Sequence, residues 1–366
     1  MKKNNIIFLG IGVCLSAIAL FFAFRNVHFV HLVDYISSIN YFWIIPSILV
    51  VFISFILRAL RWQLILKSVQ EVSYWRAYHP IMIGFMINCI LPGRVGEVAR
   101  PVILKKNDHV PVSSGLATVA VERVFDVGIL VILFGVMMMT VQVDPNFDMV
   151  FGKYHLNKDM LMTIRSSMVK LIIVLIAGIV MVSTEKVRTM INRLIIKMSS
   201  VLFFVSESSK EKIKQKICIP LVKMVENFAS GFSLIKYPKE MLICVGLSFV
   251  IWGLSAFSYY IFTMGSPGID LSFMEIFSVM IIVCFFIAIP SVPGFWGIWE
   301  AGGIFALSLF GISGKEAAGF TLANHVIQIF PVIVMGFVSA IMTGVNIWQV
   351  TKEKGESDIS HANVVR

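Results

Sequence analysis

Two proline–glycine breaks constrain this chain more than any other feature. Pro92-Gly93 interrupts one apolar stretch, and Pro293-Gly294 interrupts another 201 residues later. Each is followed by a glycine at the matched position (Gly96, Gly297) and then by a glutamate (Glu97, Glu300). Proline cannot continue a helical hydrogen-bond ladder, and glycine accepts the sharp backbone turn that follows. Each break therefore ends a helix within an otherwise apolar segment. Arg94, Glu97 and Arg100 follow the first break before the chain turns apolar again.

Composition decides where such breaks lie. The 366 residues are 58% apolar and only 14% charged, with a mean hydropathy of +0.87. Soluble domains carry roughly 25% charged residues, so a soluble fold is excluded. No alternating ten-residue segments suggest a barrel. The sequence predicts an all-α polytopic membrane protein, with full spans at about 6–24, 41–57, 114–143, 168–184, 241–263 and 316–348. Lys2 and Lys3 precede a long uncharged run without a small-residue cleavage site, which reads as an uncleaved first helix. The limbs beside the breaks are short. Residues 81–91 span about 16 Å as a helix, against ~30 Å of hydrocarbon. Limbs 81–91 and 96–104, and limbs 273–289 and 296–310, are therefore expected to form two re-entrant hairpins. The expected organisation is one transmembrane domain over 1–349 and a polar cytoplasmic tail over 350–366.

The formal charge of +10 is unevenly placed. Residues 185–240 hold 11 Lys/Arg and 5 Asp/Glu, which is expected of a cytoplasmic amphipathic segment on an anionic inner leaflet rather than of a nucleic-acid binder. Arg58, Arg61, Lys67 and Arg76 are read as a basic loop over 58–79. With both termini cytoplasmic, segments assigned to the inside carry 22 Lys/Arg and those outside carry 5, as the positive-inside rule requires. The first hairpin then opens inward and the second outward, the arrangement of an inverted repeat with a site near the midplane. The helices after the two breaks also match. One carries Glu122, Arg123 and Asp126, the other Asn324, His325 and Gln328, at identical spacing.

Arg94, Glu97 and Arg100 recur every three residues and can pair on one helix face. With Glu122, Arg123 and Asp126 they form six charges summing to zero. A charge at the centre of a membrane helix costs ~2.5–3.5 kcal/mol, so these six require pairing or a wet cavity. One reading is structural, with ion pairs fixing the hairpin to the helix at 114–143. The other is a ligand site: free N–H groups at a broken helix favour an anion, and an arginine fork suits phosphate. Gly93 and Gly96 would admit close backbone approach, while Glu97, Glu122 or Asp126 orients the arginines or holds an amine. In the second half Glu300 is the deep acid, flanked by Trp296 and Trp299, which suit either interface anchoring or a ligand wall. His325 beside Asn324 and Gln328 is a candidate proton-coupling group. The five cysteines show no C-x-x-C spacing, so no metal or cofactor is expected. Enzyme signatures such as H-E-x-x-H, the Walker loop and G-x-S-x-G are missing, so no catalytic residue is assigned.

In Pro92-Gly93-Arg94-Val95-Gly96-Glu97-x-x-Arg100, Glu122-Arg123-x-x-Asp126 and Pro290-x-x-Pro293-Gly294-x-x-Gly297-x-x-Glu300, the chain resembles the membrane domain of bacterial lysylphosphatidylglycerol synthase-flippases over roughly 40–347. The resemblance implies a protein of the bacterial cytoplasmic membrane. Its cargo would be a phospholipid, or a polyprenyl- or hopanoid-type lipid, with an anionic or zwitterionic headgroup, moved between leaflets. A homodimer stays open. The chain departs from the family in two ways. Only a 17-residue tail, 350–366, is expected beyond the transmembrane domain, so the soluble aminoacyl-transferase domain is expected to be missing. Phe295 also stands where the family usually has another glycine. An integral-membrane lipid transferase and a proton-coupled solute transporter remain the alternatives.

Overall fold

A computed structural model describes residues 3–25, 29–91, 94–140, 149–151, 154–156, 185–201, 237–289 and 291–346, with a few isolated positions between 170 and 222. The predicted span at 168–184, most of the basic run after 201, the tail at 350–366, Pro92, Gly93 and Pro290 lie outside these described residues. The described chain is helical apart from a short antiparallel ribbon, β1 (Met149–Phe151) and β2 (Tyr154–Leu156), in which Val150 faces His155.

The amino-terminal half comprises α1 (Lys3–Phe24), α2 (Phe29–Ser38), α3 (Ile44–Leu66), α4 (Tyr74–Ile90), α5 (Val95–Asp108) and α6 (Val112–Thr140). After α7 (Glu185–Val201) come α8 (Pro238–Thr263), α9 (Phe273–Ile287), α10 (Ile298–Ser308) and α11 (Gly314–Thr343). Among the described residues three stretches are long and apolar enough to cross a membrane: Tyr41–Leu66, Pro238–Thr263 and Gly314–Thr343. A long helix, a pair of short helices about a break, and another long helix thus occur twice in order.

Three boundaries differ from the sequence reading. The segment between the expected spans 6–24 and 41–57 holds α2, whose Leu32 and Tyr35 are buried. Helix α3 does not stop at Leu57; it runs to Leu66 and carries Arg58 and Arg61 into the core. Helix α4 starts at Tyr74, so the basic loop shrinks to a short connection. The first limb is correspondingly longer than the eleven residues expected.

Local chemistry sets several of these ends. Ser272 and Glu275 form a capping box that starts α9, with the Ser272 N–H donating to the Glu275 carboxylate at 2.7 Å. Gly344, at φ 62°, closes α11 in the left-handed conformation. Helices α3 and α8 pack closely through small residues. The Ser258 hydroxyl donates to the Ser47 carbonyl at 3.0 Å and the Ser47 hydroxyl to the Ser258 carbonyl at 2.8 Å, both fully buried. Small polar residues let helix backbones approach this way in membranes.

Gly96 holds the first hairpin shut. A side chain there would run into the Gly84 carbonyl, and the Gly96 N–H donates to Asn88 Oδ1 at 2.8 Å. Its smallness therefore serves contact between α4 and α5 rather than approach of a ligand. Gly96→Ala should destabilise the protein by about 1–3 kcal/mol, as overpacking does, seen as a lower Tm in detergent. An unchanged Tm would show that the two limbs do not depend on this contact.

Candidate functional site

Five arginines and three carboxylates gather where α3, α5 and α6 meet. Glu122, fully buried on α6, takes Arg100 at 2.5 Å and Arg123 at 2.9 Å, with Arg61 at 3.6 Å. Asp126, one turn along, takes Arg61 at 2.8 Å and Arg123 at 3.3 Å. Arg100 also lies over the Trp62 ring at 4.2 Å. Three guanidinium groups thus share two carboxylates and lock three helices together.

Arg58, one turn before Arg61, is built into a different environment. It is 8% exposed and has no carboxylate within ion-pair distance among the described residues. Its guanidinium carbon sits over Trp252, Phe55 and Phe85 at 5.3, 5.6 and 5.9 Å, and Nη2 makes a long 3.4 Å contact with the Ser255 hydroxyl. Its Nε has no acceptor.

Arg58 lines a partly open cavity of about 230 Å³. Its lining includes the charged Arg58, Arg94, Glu97, Arg123 and Asp126 and the aromatic Phe55, Phe85, Trp252, Tyr259, Phe295 and Trp299. Both breaks reach it, through Arg94 and Phe295. These residues are position-matched, and both have positive φ, 53° and 63°. Exposed Arg94 donates from Nη2 to the Ile287 carbonyl at 3.1 Å, tying the first break to the end of α9. A side-chain carbon on Gly294 would sit 3.3 Å from the Cys89 carbonyl of α4. The two breaks therefore lie against one another.

The second break is fixed by a neutral device. Glu300 accepts from the Gly297 N–H at 2.7 Å and faces His325 Nδ1 at 2.5 Å. His325 Nε2 lies 2.8 Å from the Gly294 carbonyl, which can only accept, so Nε2 carries a proton. The imidazole stacks on Trp299 with centroids 4.4 Å apart and an interplanar angle of 5°. One further proton lies between Nδ1 and Glu300. Asn324 is buried beside this pair, and Gln328 donates to the Ser258 hydroxyl at 2.9 Å and reaches the cavity wall.

Of the residues singled out by sequence, Arg94, Glu97, Arg123, Asp126 and Gln328 line the cavity. Arg100, Glu122, Glu300 and His325 stand behind its wall as fasteners, and Gly96, Gly294 and Gly297 shape the backbone. Pro293 opens the short turn of the second break. Pro92 and Gly93 are outside the described residues. Trp299, read from the sequence as an interface anchor or a ligand wall, also lines the cavity, whereas Arg58, Arg61, Ser255 and the rings of Phe55, Phe85, Trp252 and Tyr259 were missed. The signal for the two arginines was available: they sit three apart in a run that stays apolar through Trp62, Leu64 and Leu66.

Comparison with known proteins supplies the family. The profile described as Lysylphosphatidylglycerol synthase TM region matches residues 7–336. The chain belongs to that family. It is also 24% identical over 253 residues to the UPF0104 membrane protein MJ1078 of Methanocaldococcus jannaschii, covering 68% of this chain and 91% of that protein. No solved structure matches. Family membership and the three membrane-length helices make this a membrane protein.

Removing Arg61 should be severe, because two buried carboxylates would lose a shared cation. Breaking such a pair costs about 3–5 kcal/mol. Arg61→Met should lower thermal stability in detergent sharply, and Arg61→Met with Asp126→Leu should recover much of the loss. Equal damage in both variants would show that the ion pair is not the cause.

Proposed function

We propose that this member of the family moves a lipid between membrane leaflets, passing its headgroup through the cavity between the two breaks. The observation that carries the reading is a partly open cavity lined by residues of both breaks, with charged and aromatic side chains together in its wall. Its volume falls below the roughly 300–1,000 Å³ of pockets for whole drug-sized molecules. It suits a headgroup whose acyl chains stay in the bilayer.

The reading takes α4–α5 and α9–α10 as re-entrant hairpins. The 17, 14, 15 and 11 residues of these helices span about 25, 21, 22 and 16 Å, each short of the ~30 Å hydrocarbon core. An inverted repeat draws support from pairing of the halves. Helix α4 packs on α11 and α9 packs on α6, while α3 pairs with α8. Moving Arg58 and Arg61 from the inner loop into α3 leaves twenty Lys/Arg inside against five outside. The inward first break, cytoplasmic termini and a cytoplasmic-membrane location therefore stand within the proposal. A transferase is less well supported: Glu122 does not line the cavity, and arginines engage Asp126.

The test is translocation of labelled lipid in reconstituted vesicles. The protein should accelerate headgroup exchange between leaflets. Arg94→Ala and Glu97→Ala should each reduce the rate about tenfold or more, the scale of losing one charge-assisted contact, with the fold intact. Full transport in both variants would refute the path.

A further inference from the structure

The family's name points to a lysyl-modified headgroup, but the charges around this cavity favour the opposite sign. Deep in the cluster, Arg58, Arg61, Arg100 and Arg123 face Glu122 and Asp126, a formal excess of two positive charges. Arg94 and Glu97, nearer the first break, cancel. The His325–Glu300 pair adds nothing, since either position of its shared proton leaves it neutral.

Hydrogen-bonding capacity is skewed the same way. Among the described residues, the cavity wall carries four buried N–H donors without an acceptor, Nε of Arg58, Nε of Arg123 and the indole nitrogens of Trp252 and Trp299, against two buried acceptor oxygens without a hydrogen bond, both on Asp126 and both engaged in ion pairs. Buried donors are ordinarily satisfied. A wall with surplus donors and surplus positive charge is complementary to a group that offers several acceptor oxygens and negative charge. Among the described residues, Arg58 is the one arginine of the deep four that lies on the cavity wall with no carboxylate within ion-pair distance. The surrounding rings of Phe55, Phe85 and Trp252 hold its planar guanidinium by cation–π contact. Its fork is then available for two oxygens of one phosphate.

We propose that the cavity is a phosphate-ester site anchored by Arg58, and that it selects a net-negative headgroup over an aminoacylated one. A phosphodiester carries one negative charge. Attaching lysine adds two ammonium groups and turns the headgroup net positive, facing a cluster that already holds surplus positive charge. The phosphate chemistry stands on the cluster itself; its lipid form rests on the transport reading above.

The experiment is a binding titration of the full-length protein in nonionic detergent, read by tryptophan fluorescence, since Trp252 lies against Arg58. The probes are dioctanoyl phosphatidylglycerol, its lysyl ester, dioctanoylglycerol, glycerol phosphate and inorganic phosphate. The wild type should bind phosphatidylglycerol about tenfold or more tightly than the lysyl ester or dioctanoylglycerol, the scale of one charged hydrogen bond. Arg58→Gln should erase that preference, Arg58→Lys should keep part of it, and Arg76→Gln, far from the cavity, should leave it intact. Equal or tighter binding of the lysyl ester, or an unaltered preference in Arg58→Gln, overturns the proposal. If Arg58→Gln fails to fold, the wild-type ranking and Arg58→Lys still decide it. Glycerol phosphate or inorganic phosphate binding as tightly as the lipid, in an Arg58-dependent way, upholds the phosphate site and overturns its lipid form. Arg58-dependent lipid binding without translocation in vesicles upholds the site and overturns transport.

Discussion

The sharing of Glu122 and Asp126 among three arginines is the interaction on which the rest of this structure depends. Buried charge is tolerated at membrane depth only when it is paired or lines a cavity, and this cluster does both. Glu122 draws Arg100 from α5, Arg61 from α3 and Arg123 from its own helix into one contact. That contact determines where the first hairpin sits against α6. It also determines which face of α3 turns inward, and so brings Arg58 to the cavity one turn away. Ion-pair fastening and ligand binding were alternatives when only six charges were in view. With eight, they divide between residues: Arg100 and Arg61 fasten, while Arg58 is left over.

The two halves repeat a plan but stabilise it with different chemistry. Each break places a residue in the left-handed conformation at the matched position, and each lies beside a glutamate in the first turn of the following helix. The first break is anchored by the Arg94 cation on a helix-terminal carbonyl, where a positive side chain complements the helix dipole. The second is anchored by a His325–Glu300 pair that is neutral overall and holds the Gly294 carbonyl. Polar groups at 122, 123 and 126 and at 324, 325 and 328 therefore occupy equivalent places while presenting charge on one side only. The charged trio on α6 sums to minus one, so the positive bias of the cluster comes from Arg58 and Arg61 on α3 and Arg100 on α5.

Much of this was legible in the sequence because breaks and spans are local signals. Pro–Gly pairs end helices wherever they fall, and α6, α8 and α11 announce themselves by length and apolarity. The end of α3 was not legible by the same rule. Hydropathy treats Arg58 and Arg61 as facing water, and the carboxylates and serines that make their burial tolerable lie some sixty to two hundred residues further along the chain. Only the tertiary pairing reveals them. Gly96 illustrates the converse limit. A glycine beside a charged break was compatible with approach of a ligand, yet the backbone it admits belongs to Gly84.

Phe295 shows what the cavity asks of the second break. A left-handed backbone costs a non-glycine residue roughly 1–2 kcal/mol, and the family resemblance leads one to expect glycine there. Glycine would relieve the backbone but leave that part of the wall without a ring. Phe295 instead packs against the core formed by α8, α9 and α10, and contributes to the aromatic side of the cavity together with Tyr259 and Trp299. Full burial of an aromatic side chain is worth about 1.5–3 kcal/mol, and the partial burial of Phe295 recovers a share of that against the cost of the turn. The ring of Phe295 thus shares the lining of one cavity with Arg58, Arg94 and Arg123. A guanidinium without a carboxylate partner acts more strongly in a protein interior than in water. The strained residue at one break and the unpaired arginine on α3 consequently act on the same volume, and both favour a compact anion.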